Sequence, residues 1–215
     1  MNPIKTIKLT GEVVEDEVRE DGTVVVGTLT DLKTQAGDIN SFDTLVMEIA
    51  SQGGSVEEGL KTMIWMDQMS AMGKKIVTVV TANAYSIASL IMLAADEIYI
   101  SKHAEVMVHN PMIPFLEYAN ANDLIEAVEE LRFLEKMLRS LYVNFANIEE
   151  DDIKILMDNE TFISPDDAVQ KGFAHQVIDI KPRPYSMVAQ KNVINMRQTK
   201  NILNKIISAI QGKPT

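Results

Sequence analysis

Thr44-Leu45-Val46-Met47-Glu48-Ile49-Ala50, running into Ser51-Gln52-Gly53-Gly54-Ser55, is the stretch on which the fold turns. An apolar run of strand length ends at a glycine pair, and a helical pattern follows over residues 56–72. Val56, Leu60, Met63 and Ile64 recur there at helical spacing, and Asp67 and Gln68 interrupt the stripe one turn later. Strand, tight turn, helix is the unit this predicts. Upstream, Thr6-Ile7-Lys8-Leu9-Thr10-Gly11-Glu12-Val13-Val14 alternates like a half-buried strand, and a helix is predicted over 26–35 after the turn-like acidic stretch around Gly22. Downstream, 75–81 reads as a strand, 86–95 as a buried helix, and 97–101 and 105–109 as two short strands. Strands and helices alternate, so the predicted class is α/β.

Beyond Pro111 the pattern changes to a long amphipathic helix over 122–145, with Leu124, Val128, Leu131, Leu134, Leu138 and Leu141 as its apolar stripe. A helix of that length either packs on its own domain or protrudes to meet another subunit. Short helices follow at 149–158 and 165–171, the second capped by Ser164, and 174–180 reads as a last strand. Lys181-Pro182-Arg183-Pro184 disfavours both helix and sheet and marks a boundary. Past it, 198–211 would form a basic amphipathic helix with Ile202, Leu203, Ile206, Ile207 and Ile210 on one face. Contact with a partner or subunit, docking on its own domain, and adsorption to a membrane surface are the three uses open to it.

Composition bounds the function. A 215-residue chain with 46% hydrophobic and 24% charged residues can bury one sizeable core. No apolar run approaches the roughly 20 residues of a membrane span. The Met1-Asn2-Pro3-Ile4-Lys5 start lacks the pattern of a secretory signal, so the cytoplasm is the expected location. With no cysteine, thiolate nucleophiles, thiolate metal sites and disulfides are excluded. The net charge of −11 is uneven. From Ile180 onward there are seven basic residues and no acidic one, which leaves 13 basic and 31 acidic residues, a net of −18, to residues 1–179. An acidic body repels phosphate backbones, so nucleic acid is not the expected partner, although the tail could grip something acidic.

A hydrolase built here needs a hydroxyl nucleophile, a base and oxyanion donors. Ser86 begins the buried helix after Ala82-Asn83-Ala84-Tyr85, at the positive end of the helix dipole. The bland reading is a helix N-cap, which for a serine at that position is the commoner role. Of the three histidines, His103 lies in a turn and His175 opens the last strand. His109 ends a strand before Asn110-Pro111 and is the best placed base. Gly53-Gly54 permits close backbone approach, but a glycine pair there is also an ordinary tight turn, and the lysine and spacing of a P-loop are missing.

Taken in order, Ser51-Gln52-Gly53-Gly54-Ser55, Ala84-Tyr85-Ser86-Ile87-Ala88-Ser89, Val106-Met107-Val108-His109-Asn110-Pro111, and Thr161-Phe162-Ile163-Ser164 with Ala168 and Gly172 resemble the motif set of the Clp protease proteolytic subunit. The likeness spans residues 7–179, and its flavour is that of the ClpP-like peptidases of phage head maturation. It implies a ClpP/crotonase-like spiral of strand–strand–helix units, a peptidase domain over 1–180 with 181–215 as a basic tail, and a homo-oligomeric ring. It also implies an ATP-independent or partner-assisted serine endopeptidase without cofactor or metal, with Ser86 as nucleophile, His109 as base, and the N–H groups of Gly54 and Ile87 as the oxyanion hole. The substrates would be peptides or proteins. In a phage these would be head or scaffold proteins in the host cytoplasm, with a capsid or scaffold partner held through the tail.

The sequence departs from the family in three places. Glu160 stands where the family carries the Asp that orients the imidazole, with Asp158 as the nearby alternative. Ala174-His175 follows Phe173 in place of the usual Asp. Met112-Ile113-Pro114-Phe115-Leu116-Glu117-Tyr118 replaces the Gly-rich segment after the histidine turn. Competing readings are a housekeeping subunit under an ATPase ring, acyl-CoA chemistry in which Ser86 and His109 would be idle, and a non-catalytic scaffold that kept the fold.

Overall fold

The computed structural model describes residues 3–113 and 118–180. The basic tail, its boundary at 181–184 and its helix at 198–211 lie outside the described residues. The chain runs β1 (Ile4–Val13), β2 (Glu17–Val18), β3 (Val24–Val25), α1 (Thr28–Ala36), β4 (Thr44–Gly54), α2 (Val56–Ala71), β5 (Lys75–Tyr85), α3 (Ile87–Leu93), β6 (Glu97–Ser101), β7 (Glu105–Val108), α4 (Ala121–Ala146), α5 (Glu150–Asp158), β8 (Thr161–Ile163), α6 (Pro165–Gln170) and β9 (Gln176–Ile178). Among the described residues seven strands form one sheet in the order β1-β4-β5-β6-β9, with β7 added to β5 and β8 to β7. All pairings are parallel except β7 with β8. This is the α/β class that the alternation predicted, here with a mostly parallel sheet. No helix among the described residues is long and apolar enough to cross a membrane.

Central parallel strands are covered on both faces and read as nearly continuous apolar runs. Leu45, Met47 and Ile49 of β4 and Ile76 and Val80 of β5 face the main core beneath the helices, whereas Val46, Val77 and Val79 join a second cluster with Tyr99, Ile178 and Ile180. Two strands outrun their expected ends. β4 continues through the glycine pair, still paired with β1 as far as Gly54 opposite Val13, and β5 continues to Tyr85. β5 pairs with β6 over Val77–Val80 and then, past that partner's end, with β7 over Asn83–Tyr85. That change of partner, with a register shift against β4 that still pairs Ser51 with Ala84, sets the end of β5 beside β7.

Helix α2 keeps most of the predicted stripe, since Met63 is in the core and Val56 and Leu60 pack against it, but Ile64 does not join them. Gly59, Thr62, Met63, Met66 and Met69 are buried, while Ile64 is 57% exposed. Packing decides the rotation: a Cβ on Gly59 would lie 2.1 Å from Ile87 Cγ1, so this glycine is where the helix meets α3. The neighbouring Glu58 is also buried, and its carboxylate accepts the Leu29 N–H at 2.8 Å. It satisfies one of the first-turn donors of α1, whose N-cap Gly27 has no side chain to do so. The acidic stretch around Gly22 is a small antiparallel hairpin, β2 with β3, rather than a plain turn.

Helix α4 starts with a capping box, Asn120 with Asp123, and ends at Asn147 in the left-handed region. Only its C-terminal half is in the core, through Leu138, Tyr142 and Ala146. Leu124, Ile125, Val128 and Phe133 are between 46% and 68% exposed, so the N-terminal half stands away from its own domain.

Candidate active site

The last residue of β5 and the third of β7 are in register, Tyr85 opposite Met107, and the Ser86 N–H donates to the Met107 carbonyl at 2.8 Å. One residue beyond Tyr85 is Ser86 and two beyond Met107 is His109, so parallel pairing of these two strand ends brings the two side chains together. Ser86 Oγ and His109 Nε2 are 2.7 Å apart. A hydroxyl donating to the free imidazole nitrogen at that distance is the nucleophile–base contact of acyl transfer.

The N-cap reading of Ser86 does not hold. It occupies the N-cap position of α3, yet its side chain makes no capping hydrogen bond, and its backbone is at φ 55, ψ −131. Among the described residues three non-glycine residues have positive φ, namely Ser86, Asn147 and Glu160, and two of them line the cleft. Such conformations cost of order 1–3 kcal/mol each and persist where the surroundings over-determine them. Here the surroundings include Gly53, at φ 85, where a Cβ would fall 2.7 Å from Ser86 Cβ and 2.6 Å from the Tyr85 carbonyl oxygen. Gly54, at φ 148, leaves no room either, since its Cβ would be 2.2 Å from the Val13 carbonyl oxygen. Both glycines are demanded by approach and by backbone angle.

A cleft of about 340 Å³ opens over this pair, and Gly53, Gly54, Ser86, Ile87, His109 and Glu160 all line it. Ile87 is the first residue of α3, so its N–H has no intrahelical acceptor. Val56, Leu90 and Leu138 give the lining an apolar share. A larger hollow of about 560 Å³ lies where α4, α5 and α6 meet, around Ile148, Leu156 and Lys171, and does not include Ser86 or His109.

The two candidate carboxylates part company. Asp158 accepts from Asn110 Nδ2 at 2.9 Å and from Lys154 Nζ at 2.6 Å, and these two donors hold its carboxyl below the usual carboxylate range. Both of its oxygens are thus engaged with groups other than the ring. Glu160 shares the cleft with His109 but, among the described residues, makes no hydrogen bond to it. The remaining histidines have other surroundings: His175 Nδ1 accepts the Ile98 N–H at 2.9 Å, and His103 lies exposed in the turn after β6.

Three contributors were not read from sequence. Ser89 donates its hydroxyl to the Ser86 carbonyl at 2.7 Å, and Tyr142 of α4 meets Ser89 Oγ at 2.7 Å. Burial holds the Tyr142 phenol well above its ordinary pKa, so it stays protonated. Tyr85 donates to Glu105 at 2.7 Å, packs edge-on against Phe162 at 5.6 Å, and has its pKa pushed up to about 12, chiefly by burial. The serine three residues after Ser86 and a tyrosine in an otherwise apolar stripe were the available signals.

The Clp protease family matches residues 5–181. One curated relative, the ATP-dependent Clp protease proteolytic subunit 1 of Chlamydia abortus, is 28% identical over 141 residues, which is 65% of this chain and 72% of that protein.

Proposed function

The chain belongs to the Clp protease family, and on that premise we propose that it is a serine endopeptidase in which Ser86 is the nucleophile and His109 the general base. The observation that carries this reading is the 2.7 Å contact between Ser86 Oγ and His109 Nε2 on a strained backbone at the mouth of the cleft. Ser86 Oγ attacks the carbonyl carbon of the scissile peptide bond while His109 Nε2 takes the hydroxyl proton. The tetrahedral oxyanion is received by the N–H groups of Gly54 and Ile87. His109 then protonates the leaving amine, and water activated by the same nitrogen releases the acyl group from Ser86.

Glu160 orients the imidazole in this reading. Its longer side chain must turn toward Nδ1, whereas Asp158 serves the turn by holding Asn110, the residue after His109. Both settings considered from the sequence fit this chemistry: trimming of head or scaffold proteins in a phage, and degradation beneath an ATPase ring. Either uses a homo-oligomeric ring with inward-facing sites, in the cytoplasm, and the first adds a capsid or scaffold partner at residues 181–215. The name of the Chlamydia abortus relative favours the second setting as a starting point.

A fluorophosphonate probe tests the core of the proposal. It should label the wild-type protein and fail on Ser86→Ala; labelling that survives the substitution removes Ser86 from the mechanism. Glu160→Ala should lower kcat by at least about tenfold, since a misoriented base loses much of its acid–base contribution. Asp158→Ala should cost less, and a larger loss there than at Glu160 would reverse the two roles. Cleavage of unfolded casein by the purified chain, with and without a Clp ATPase, separates the two settings.

A further inference from the structure

The peptide plane between Ser86 and Ile87 is held from one side. The Ser86 carbonyl accepts two hydrogen bonds from Ser89, its backbone N–H at 2.9 Å and its hydroxyl at 2.7 Å. A serine hydroxyl has one hydrogen, and a carbonyl can only accept, so that hydrogen is committed to Ser86. Tyr142 must therefore be the donor in its 2.7 Å contact with Ser89 Oγ. The result is a directed chain, Tyr142 O–H to Ser89 O–H to Ser86 C=O. Ser89 is fully buried and Tyr142 is 2% exposed, so no solvent competes for these bonds.

No cis peptide occurs among the described residues, and in a trans peptide the C=O and the next N–H point in opposite directions. Fixing the Ser86 carbonyl toward the interior of α3 fixes the Ile87 N–H the other way, and Ile87 lines the cleft. We propose that Ser89 and Tyr142 form a positioning pair that locks the 86–87 peptide plane, so that the Ile87 N–H is presented as an oxyanion donor. The inference rests on the serine-peptidase reading and extends it by two residues that act through the Ser86 carbonyl, Ser89 from full burial and Tyr142 from beside the cleft. Tyr142 also packs against Phe173, with ring centroids 5.9 Å apart, so the pair ties the C-terminal half of α4 to the nucleophile's turn.

Structural and positioning roles separate in a set of three variants: Ser89→Ala, Tyr142→Phe and the double substitution. Ser89→Ala leaves the buried Tyr142 hydroxyl without an acceptor and should unfold at a lower temperature, whereas the double variant removes both polar partners and should regain the wild-type midpoint. Turnover of a fluorogenic peptide should not follow. With the Ser86 carbonyl held by the residue-89 N–H alone, the plane is looser, so kcat in the double variant should stay about tenfold down with KM within about twofold, and a peptide aldehyde inhibitor should weaken by a similar factor. A double variant that regains wild-type kcat together with its stability overturns the proposal, even if Ser89→Ala alone fails to fold. If the wild-type chain neither turns over peptide nor takes the fluorophosphonate label, the peptidase reading falls and this inference falls with it. If wild type is labelled and the double variant is as active, only the positioning role is lost.

Discussion

Ser86 is held in a backbone region that glycine enters freely and other residues enter at a cost, and the contact that gives it chemistry depends on that conformation. Ser86→Gly should therefore raise stability while abolishing labelling and turnover. Relief of about 1–3 kcal/mol of strain, less roughly 0.5–1 kcal/mol for the added backbone entropy of glycine, leaves a net gain of about 1 kcal/mol. For a chain of this size that is an upward shift of about 2–4 °C in Tm, readable by calorimetry. A lower Tm would mean that the positive φ is not strained. Ser86 and His109 were legible because their motifs stand in order along the chain and the second closes a strand. The carboxylate was not legible, since Asp158 and Glu160 sit two residues apart in one acidic loop. Their fates diverge through Lys154, one turn back on α5, and Asn110, 48 residues away.

Hydrophobic periodicity found the helices but not always the face each would bury. The spacing of Val56, Leu60, Met63 and Ile64 predicted one stripe for α2; the first three meet the core, and Ile64 is turned out as the helix brings Gly59 against Ile87. In α4 the stripe from Leu124 to Leu141 is continuous in sequence, yet burial begins only near its C-terminal half. The exposed Leu124, Ile125 and Val128 share one side of the helix and are apolar residues of the kind that mark a protein contact. Under the ring proposed above, this half of α4 meets another copy. Val128→Glu should then shift the particle mass toward smaller assemblies in light scattering while leaving the monomer's helix content unchanged. An unchanged mass would place the subunit contact elsewhere.

At the scale of the whole molecule, three tyrosines have raised pKa values. Burial is the first cause for each of Tyr85, Tyr99 and Tyr142. A tyrosine whose folded pKa lies above its unfolded value of about 10 keeps a proton that the unfolded chain releases. Its contribution is complete below about pH 10 and is lost as pH rises from there through the folded pKa. For the fully enclosed Tyr142 the slope is about 1.4 kcal/mol per pH unit. Urea midpoints measured from pH 9 to 11 should fall more steeply for wild type than for Tyr142→Phe; equal slopes would mean that Tyr142 ionises freely in the fold. What the amino-acid sequence by itself determined was local in origin: which runs form the main strands and where the helices begin. Each follows from near-neighbour sterics, side-chain periodicity and capping. Tertiary structure alone decided how β5 changes partner from β6 to β7 and so sets Ser86 against His109, that Ile64 of α2 turns outward, and which hydroxyls lie behind the Ser86 carbonyl. Those outcomes depend on contacts between segments far apart in the chain, where register and packing, rather than local preference, select one arrangement.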